Sequence, residues 1–170
     1  MNWVNLYELE SIAKNKVEKT AFDYIASGAT DEITLRNNVE AYKKIQLIPK
    51  RLTSNKYPKT DIELFGQKMD YPILIAPTAF HGLSHQDAEV GTAKAANKSD
   101  TTMILSTLSN STIEDVAKSN ANLWFQLYIF NNRDITLELV KKAEKNNYRA
   151  IVVTVDAPIL GKREQDIRNE

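Results

Sequence analysis

Four short apolar runs, separated by segments long enough for helices, constrain this chain more than any other feature. They are Ile73-Leu74-Ile75-Ala76, residues 102–105, residues 124–128 and Ala150-Ile151-Val152-Val153-Thr154-Val155. The first is continuously hydrophobic and the others are of the same kind, which suits strands covered on both faces, as in a parallel sheet, rather than strands with a wet face. Helices are expected near 86–98, 112–119 and 133–146. The last carries Ile135, Leu139 and Ala143 on one stripe, with Lys141, Lys142, Glu144 and Lys145 elsewhere, so it buries a single face. Strand-helix repetition with parallel strands implies right-handed crossovers and an α/β fold.

Upstream of the first run the periodicity is helical. Leu6, Leu9, Ile12 and Ala13 recur at that spacing, then Ala21, Tyr24 and Ile25, then Leu35, Val39 and Tyr42. Gly28 stands where a left-handed residue would end the second helix, and Thr30-Asp31 where the third would be capped. Residues 46–71 read as a loop leading into a short hairpin, with Ile62 and Leu64 alternating before Phe65-Gly66-Gln67.

An open doubly wound sheet and a closed barrel both fit the alternation. The five glycines, at 28, 66, 82, 91 and 161, stand singly and form neither a dinucleotide-binding turn nor a phosphate loop, which favours the barrel. A complete (β/α)8 barrel takes roughly 250 residues, so four strands amount to half of one. The expected organisation is a single truncated domain over 1–170, divided into helical 1–45, loop and hairpin 46–71, and half barrel 72–170. Exposed edges at the first and fourth strands, with barrel-facing Ile75, Leu105 and Val153 laid bare, would favour association between copies.

The 22 basic and 22 acidic side chains cancel, which argues against nucleic acid and against an anionic membrane surface. No cysteine is present, excluding thiol chemistry and disulfides, and no metal-ligating pattern stands out. The first residues do not form a secretory signal, and no apolar run approaches the ~20 residues of a membrane span. The expected compartment is the cytoplasm or an organelle matrix such as the peroxisome.

In a barrel the ligand lies at the carboxyl ends of the strands. Those ends hold Pro77-Thr78-Ala79, Ser106-Thr107-Leu108, Gln126 with Tyr128, and Thr154 with Asp156. Mostly neutral hydrogen-bonding groups suit a flat heterocycle rich in carbonyl and ring-nitrogen acceptors. On the alternative reading they cap strands and helices and do nothing more.

These residues also resemble a family. Ala76-Pro-Thr-Ala79, Leu105-Ser106, Phe125-Gln-Leu-Tyr128, Thr154-Val-Asp-Ala-Pro158 and Gly161-Lys-Arg-Glu-Gln-Asp-Ile-Arg-Asn169 are similar to the FMN-dependent 2-hydroxy-acid oxidases and dehydrogenases, the glycolate oxidase and lactate oxidase group. Ala21-Phe-Asp-Tyr24 and Ser27-Gly-Ala-Thr-Asp31 extend the likeness to the amino-terminal helices. The resemblance implies the amino-terminal half of a (β/α)8 TIM barrel that oxidises a small (S)-2-hydroxy acid to the 2-oxo acid with FMN. It places Pro77, Thr78 and Ala79 against the flavin and has Ser106, Gln126 and Thr154 hydrogen-bond its ring. Tyr24, Tyr128 and Arg163 would hold the substrate, the guanidinium fork matching a carboxylate. Asp156 would orient a histidine base.

That base belongs to the second half of the family's barrel, and neither histidine of this chain matches its motif. His81 reads as loop packing and His85 as the lead-in to the helix near 86–98. Leu108 stands where the glycolate oxidases carry tryptophan, which leaves lactate or a longer 2-hydroxy acid as open as glycolate. Two other classes remain: a non-catalytic half-barrel that binds or assembles, and a phosphate-binding barrel lyase or isomerase. Since the family's phosphate site lies in late strands, weak or no FMN retention is expected of this chain in isolation.

Overall fold

The computed structural model describes residues 3–52 and 57–169. They fall into two compact units, one of residues 1–58 with 159–170 and one of residues 59–158. The first unit thus takes back the carboxyl-terminal segment, a grouping that the sequential division into 1–45, 46–71 and 72–170 does not contain.

In the first unit three helices follow one another: α1 (Tyr7–Lys14), α2 (Lys19–Ala26) and α3 (Ile33–Lys43). Glu18 caps α2, its carboxylate accepting from the N–H groups of Thr20 and Ala21. The expected cap of α3 at Thr30-Asp31 gives way to Glu32, which is left-handed at φ 55° and turns its carboxylate back to the Gly28 N–H at 3.0 Å. Gly28 is not a left-handed terminator, because α2 ends through extended Ser27; the glycine with positive φ is Gly66, at 76°, in the hairpin of the other unit. A short helix, α7 (Glu164–Arg168), packs on α2.

The second unit opens with the expected hairpin, β1 (Ile62–Leu64) antiparallel to β2 (Gln67–Met69). There follow α4 (Ala88–Lys98), β3 (Thr102–Leu105), α5 (Ile113–Ala117), β4 (Asn122–Leu127), α6 (Arg133–Lys145) and β5 (Ile151–Val153). The three later strands form one parallel sheet in chain order, β3-β4-β5. Thr112 caps α5 and Asn132 caps α6, each side chain accepting from a backbone N–H of the first turn.

The first apolar run departs from expectation. It contributes one parallel bridge, Ile75 to Met103, instead of a strand over 73–76, and Ile73 is exposed. The hydrogen bonds explain this. Ile75 donates to the Thr102 carbonyl and accepts from the Ile104 N–H, but Ile73 turns its N–H back to Tyr71, and Pro72 and Pro77 have none to give. Prolines at both ends leave the ladder one rung.

Alternation along the strands fixes the two faces of the sheet. Met103, Leu105, Leu123, Phe125 and Leu127 pack with Ala93 and Ala96 of α4, Ile113 and Val116 of α5, Ala143 of α6 and Tyr148. Phe125 meets Tyr148 edge-on with ring centres 6.3 Å apart. Leu105 is therefore buried against helices, and its partners in register place Ile75 and Val153 on that same side, so the expectation that these three face a barrel interior is overturned. On α6 the buried stripe is Leu139, Val140 and Ala143, while Ile135 stays exposed.

The opposite face carries Thr102, Ile104, Trp124, Gln126, Val152 and Thr154. Its amino-terminal part is covered by the hairpin. The Trp124 indole donates to Gln67 Oε1 at 3.0 Å, Phe65 lies edge-on to the indole at 5.1 Å, and the Thr102 hydroxyl rests against the Met69 sulfur at 3.3 Å. The carboxyl-terminal part ends in the polar groups described next.

Candidate functional site

On that second face, three strand ends meet in one hydrogen-bonded row. Gln126, at the end of β4 and almost wholly buried, accepts at Oε1 from the Ser106 hydroxyl at 3.3 Å and from the Thr107 N–H at 3.0 Å. Its Nε2 donates to Thr154 Oγ1 at 2.8 Å. The register that pairs Leu105 with Phe125 sets Ser106 beside Gln126, while on the other side Gln126 pairs with Val152 and its amide reaches diagonally to Thr154, two residues farther on, so three residues separated by 20 and 28 positions become neighbours. Ser106 also accepts from the Leu108 N–H at 3.1 Å. No buried side-chain nitrogen or oxygen among the described residues lacks a partner.

Thr107, among the strand-end residues picked out by the sequence though given no role there, belongs to this arrangement too. Its hydroxyl donates to the Gln126 carbonyl at 2.6 Å and accepts from the Tyr128 N–H at 3.2 Å, anchoring the residue after β4 to the loop after β3. Tyr128 is half-buried.

Pro77, Thr78 and Ala79 follow the single rung at Ile75, with Thr78 exposed and its hydroxyl 3.4 Å from the Ala76 carbonyl. The loop beyond them is pinned where the Phe80 N–H donates to the Leu108 carbonyl at 3.1 Å. Asp156 lies two residues past Thr154 and is exposed, making no hydrogen bond or ion pair among the described residues. His81 sets its Nδ1 3.0 Å from the Thr92 hydroxyl, and His85 Nδ1 accepts from the Asp87 N–H at 3.1 Å. Both rings serve local structure, as their sequence context suggests.

The first unit carries Tyr24 and Arg163, which are in contact. The guanidinium carbon sits 4.8 Å from the centre of the Tyr24 ring. Its Nη2 donates to the Tyr24 carbonyl at 2.5 Å and to the Ser27 hydroxyl at 3.3 Å, Nη1 to the Ser27 carbonyl at 3.3 Å, and Nε to Asp166 at 2.5 Å. Beside them Asp23 accepts from Lys19 of its own helix and from Gln165 and Asn169. The Lys19 ammonium first, then the two amides, hold the Asp23 carboxyl down at about 2.

The second unit contains a carboxylate that sequence reading passed over. Glu89, in the first turn of α4, has no solvent exposure and accepts from three backbone N–H groups, of His81, Asn110 and Ser111. Burial acts to raise its pKa, but those hydrogen bonds outweigh burial and hold the carboxyl below its usual range. Among the described residues no group of acidic or histidine side chains is arranged to hold a metal ion. No helix among them is long and apolar enough to cross a membrane.

Comparison with known proteins shows the family to which these residues belong. A family model described as FMN-dependent dehydrogenase matches residues 13–170. The chain is 44% identical to an L-lactate oxidase of Nostoc sp., over 98% of this chain and 47% of that protein. To a peroxisomal (S)-2-hydroxyacid oxidase of Arabidopsis thaliana it is 43% identical, over 98% of this chain and 46% of that protein. A crystal structure of mandelate oxidase superposes with a TM-score of 0.94 at 34% identity, covering 98% of this chain and 50% of that one. The chain spans about half the length of the relatives it matches.

Proposed function

The chain belongs to the FMN-dependent dehydrogenase family, and from that premise we propose that it supplies the amino-terminal half of a (β/α)8 barrel in which a small (S)-2-hydroxy acid is oxidised to the 2-oxo acid. The observation that carries this reading is the Gln126 row: a buried side-chain amide joined to two hydroxyls and an N–H at adjacent strand ends. Such a row offers donors and acceptors side by side to the edge of a planar heterocycle, with no charge that would demand a counter-ion. The residues present therefore fit FMN. Pro77, Thr78 and Ala79 would lie against its ring, while Ser106, Gln126 and Thr154 would bond the heteroatoms.

Bound FMN would supply the two-electron acceptor. The chain's own residues have the tasks of binding and orientation. Tyr128, its backbone tied to Thr107, would present its hydroxyl to the substrate, and the family likeness gives Tyr24 a part in holding the substrate and Arg163 the carboxylate. For that role Arg163 must exchange its Tyr24 and Ser27 carbonyl partners for carboxylate oxygens, a change its fork geometry permits. Asp156 would hold a histidine base supplied by later barrel strands; its exposure in the absence of a partner fits that role. The edge of β5, where Ile151 and Val153 remain exposed, would receive the next strand or a second copy. Cytoplasm or the peroxisomal matrix would house such an enzyme.

The test is to fuse residues 1–170 to the carboxyl-terminal half of the Nostoc L-lactate oxidase. The expected product is yellow, its flavin bleached by L-lactate or glycolate under argon, with peroxide formed on admitting air. A folded but colourless fusion would overturn the reading. The isolated chain is expected to retain FMN weakly.

A further inference from the structure

We propose that Glu89 is a positioning residue whose buried carboxylate clasps the loop bearing Pro77, Thr78 and Ala79 to the loop that leaves β3, and so fixes where Thr78 and Ser106 stand. The use of this clasp by flavin rests on the reading above; the clasp itself does not.

The geometry is that of a junction. Oε1 accepts from the His81 N–H at 3.1 Å, three residues past Thr78, and from the Asn110 N–H at 3.0 Å, four residues past Ser106. Oε2 accepts from the Ser111 N–H at 2.9 Å. The carboxylate is fully buried, and no lysine, arginine or histidine forms an ion pair with it among the described residues. A charge in that position persists only if something else stabilises it. Three N–H dipoles do so, aided by its place in the first turn of an eleven-residue helix.

Around the carboxylate the two loops are held close. Phe80 donates to the Leu108 carbonyl at 3.1 Å, and Gly82 donates to Asn110 Oδ1 at 2.8 Å. A Cβ at Gly82 would lie 2.8 Å from that same oxygen, so any larger residue would push the Asn110 amide aside. Phe80, a non-glycine residue at φ 57°, sits at the crossing, in a conformation that persists only when its surroundings impose it. Removing the acceptor at the centre frees the N–H groups on both sides at once.

Glutamine at 89 is the discriminating variant. It is isosteric and keeps one acceptor oxygen for His81 and Asn110, but it turns an NH2 toward the Ser111 N–H, donor against donor. Amide hydrogen exchange by 15N NMR, on the flavin-free chain, reads the effect directly. Glu89→Gln should speed exchange at Ser111 by about tenfold or more, with smaller increases at His81 and Asn110 and displaced backbone resonances at Thr78 and Ser106. Glu114→Gln, at an exposed position of α5, should change none of these. Unaltered exchange at all three amides in a folded Glu89→Gln protein would overturn the clasp. Faster exchange with Thr78 and Ser106 unmoved would overturn its positioning role. In the fusion described above, Glu89→Gln should weaken FMN binding by about tenfold. A parent fusion that binds no FMN would refute the flavin reading, while the amide data still judge the clasp.

Discussion

Gln126 donates its side-chain amide to the Thr154 hydroxyl across 2.8 Å, and this direction is imposed from the other side, where the Thr107 N–H requires an acceptor. A flipped amide would oppose Thr107 with a second donor. Gln126→Ala should therefore lower the unfolding free energy by about 1–3 kcal/mol, chiefly by orphaning the Thr107 N–H, whereas Thr154→Val should cost about 1 kcal/mol. Urea unfolding of the two single variants and the double variant checks this; strictly additive losses would contradict the coupling.

The indole of Trp124 binds the hairpin through one hydrogen bond and one edge-on ring contact. Trp124→Phe keeps an aromatic ring but leaves the buried Gln67 amide without its donor. A loss of about 1–2 kcal/mol is expected, together with faster amide exchange in residues 62–69. Unchanged exchange there would show that the hairpin is held by other contacts.

Asp23 sets an acid limit on the docking of α7. Its carboxyl is held at about 2, against an ordinary value of 3.8, by Lys19 and then by Asn169 and Gln165. A depressed folded-state value favours the folded form above 3.8, and that contribution disappears as pH falls toward 2. The Asp23 carboxyl carbon should titrate near 2 by NMR, and Lys19→Met should move its midpoint upward. A midpoint near 3.8 in the parent protein would contradict the arrangement.

Gly66 turns the hairpin at φ 76° with nothing within 4 Å of where a Cβ would be. Gly66→Ala thus isolates backbone strain from crowding. It should destabilise by about 1 kcal/mol, read as a lowered Tm; an unchanged Tm would mean the turn relaxes.

The part of the fold legible in the sequence was that in which local pattern and tertiary role coincide. Residues 102–105 and the later apolar runs became strands, and the small-residue segment before them became α4. The run at 73–76 failed because hydrophobicity carries no information about which N–H groups are free, and Pro72, Pro77 and the turn at Ile73 left too few. The facing of Leu105 failed because a strand apolar on both sides gives no parity signal. Ser106, Gln126 and Thr154 were readable as strand ends, and the parallel sheet then brought both hydroxyls within reach of the Gln126 amide. Glu89 was not readable, since an acidic residue in a helix's first turn ordinarily serves the helix dipole in water. Its burial depends on donors 21 and 22 residues away. The contact of Arg163 with Tyr24 spans 139 residues and has no local signature at all.

Strand order in the parallel sheet is the order of the chain, and this bears on how the second unit forms. Pairing Met103 with Leu123, or Phe125 with Ile151, closes a loop of one helix and its turns, so each strand can dock as soon as the helix before it has folded. Short closures of this kind favour rapid, stepwise growth of the sheet, even during synthesis. The hairpin is different: Gln67 must wait for Trp124, 57 residues later, before its hydrogen bond can form. The earliest segment of this unit to leave the ribosome is thus among the last to be secured, and refolding should show hairpin protection trailing that of β3 and β4.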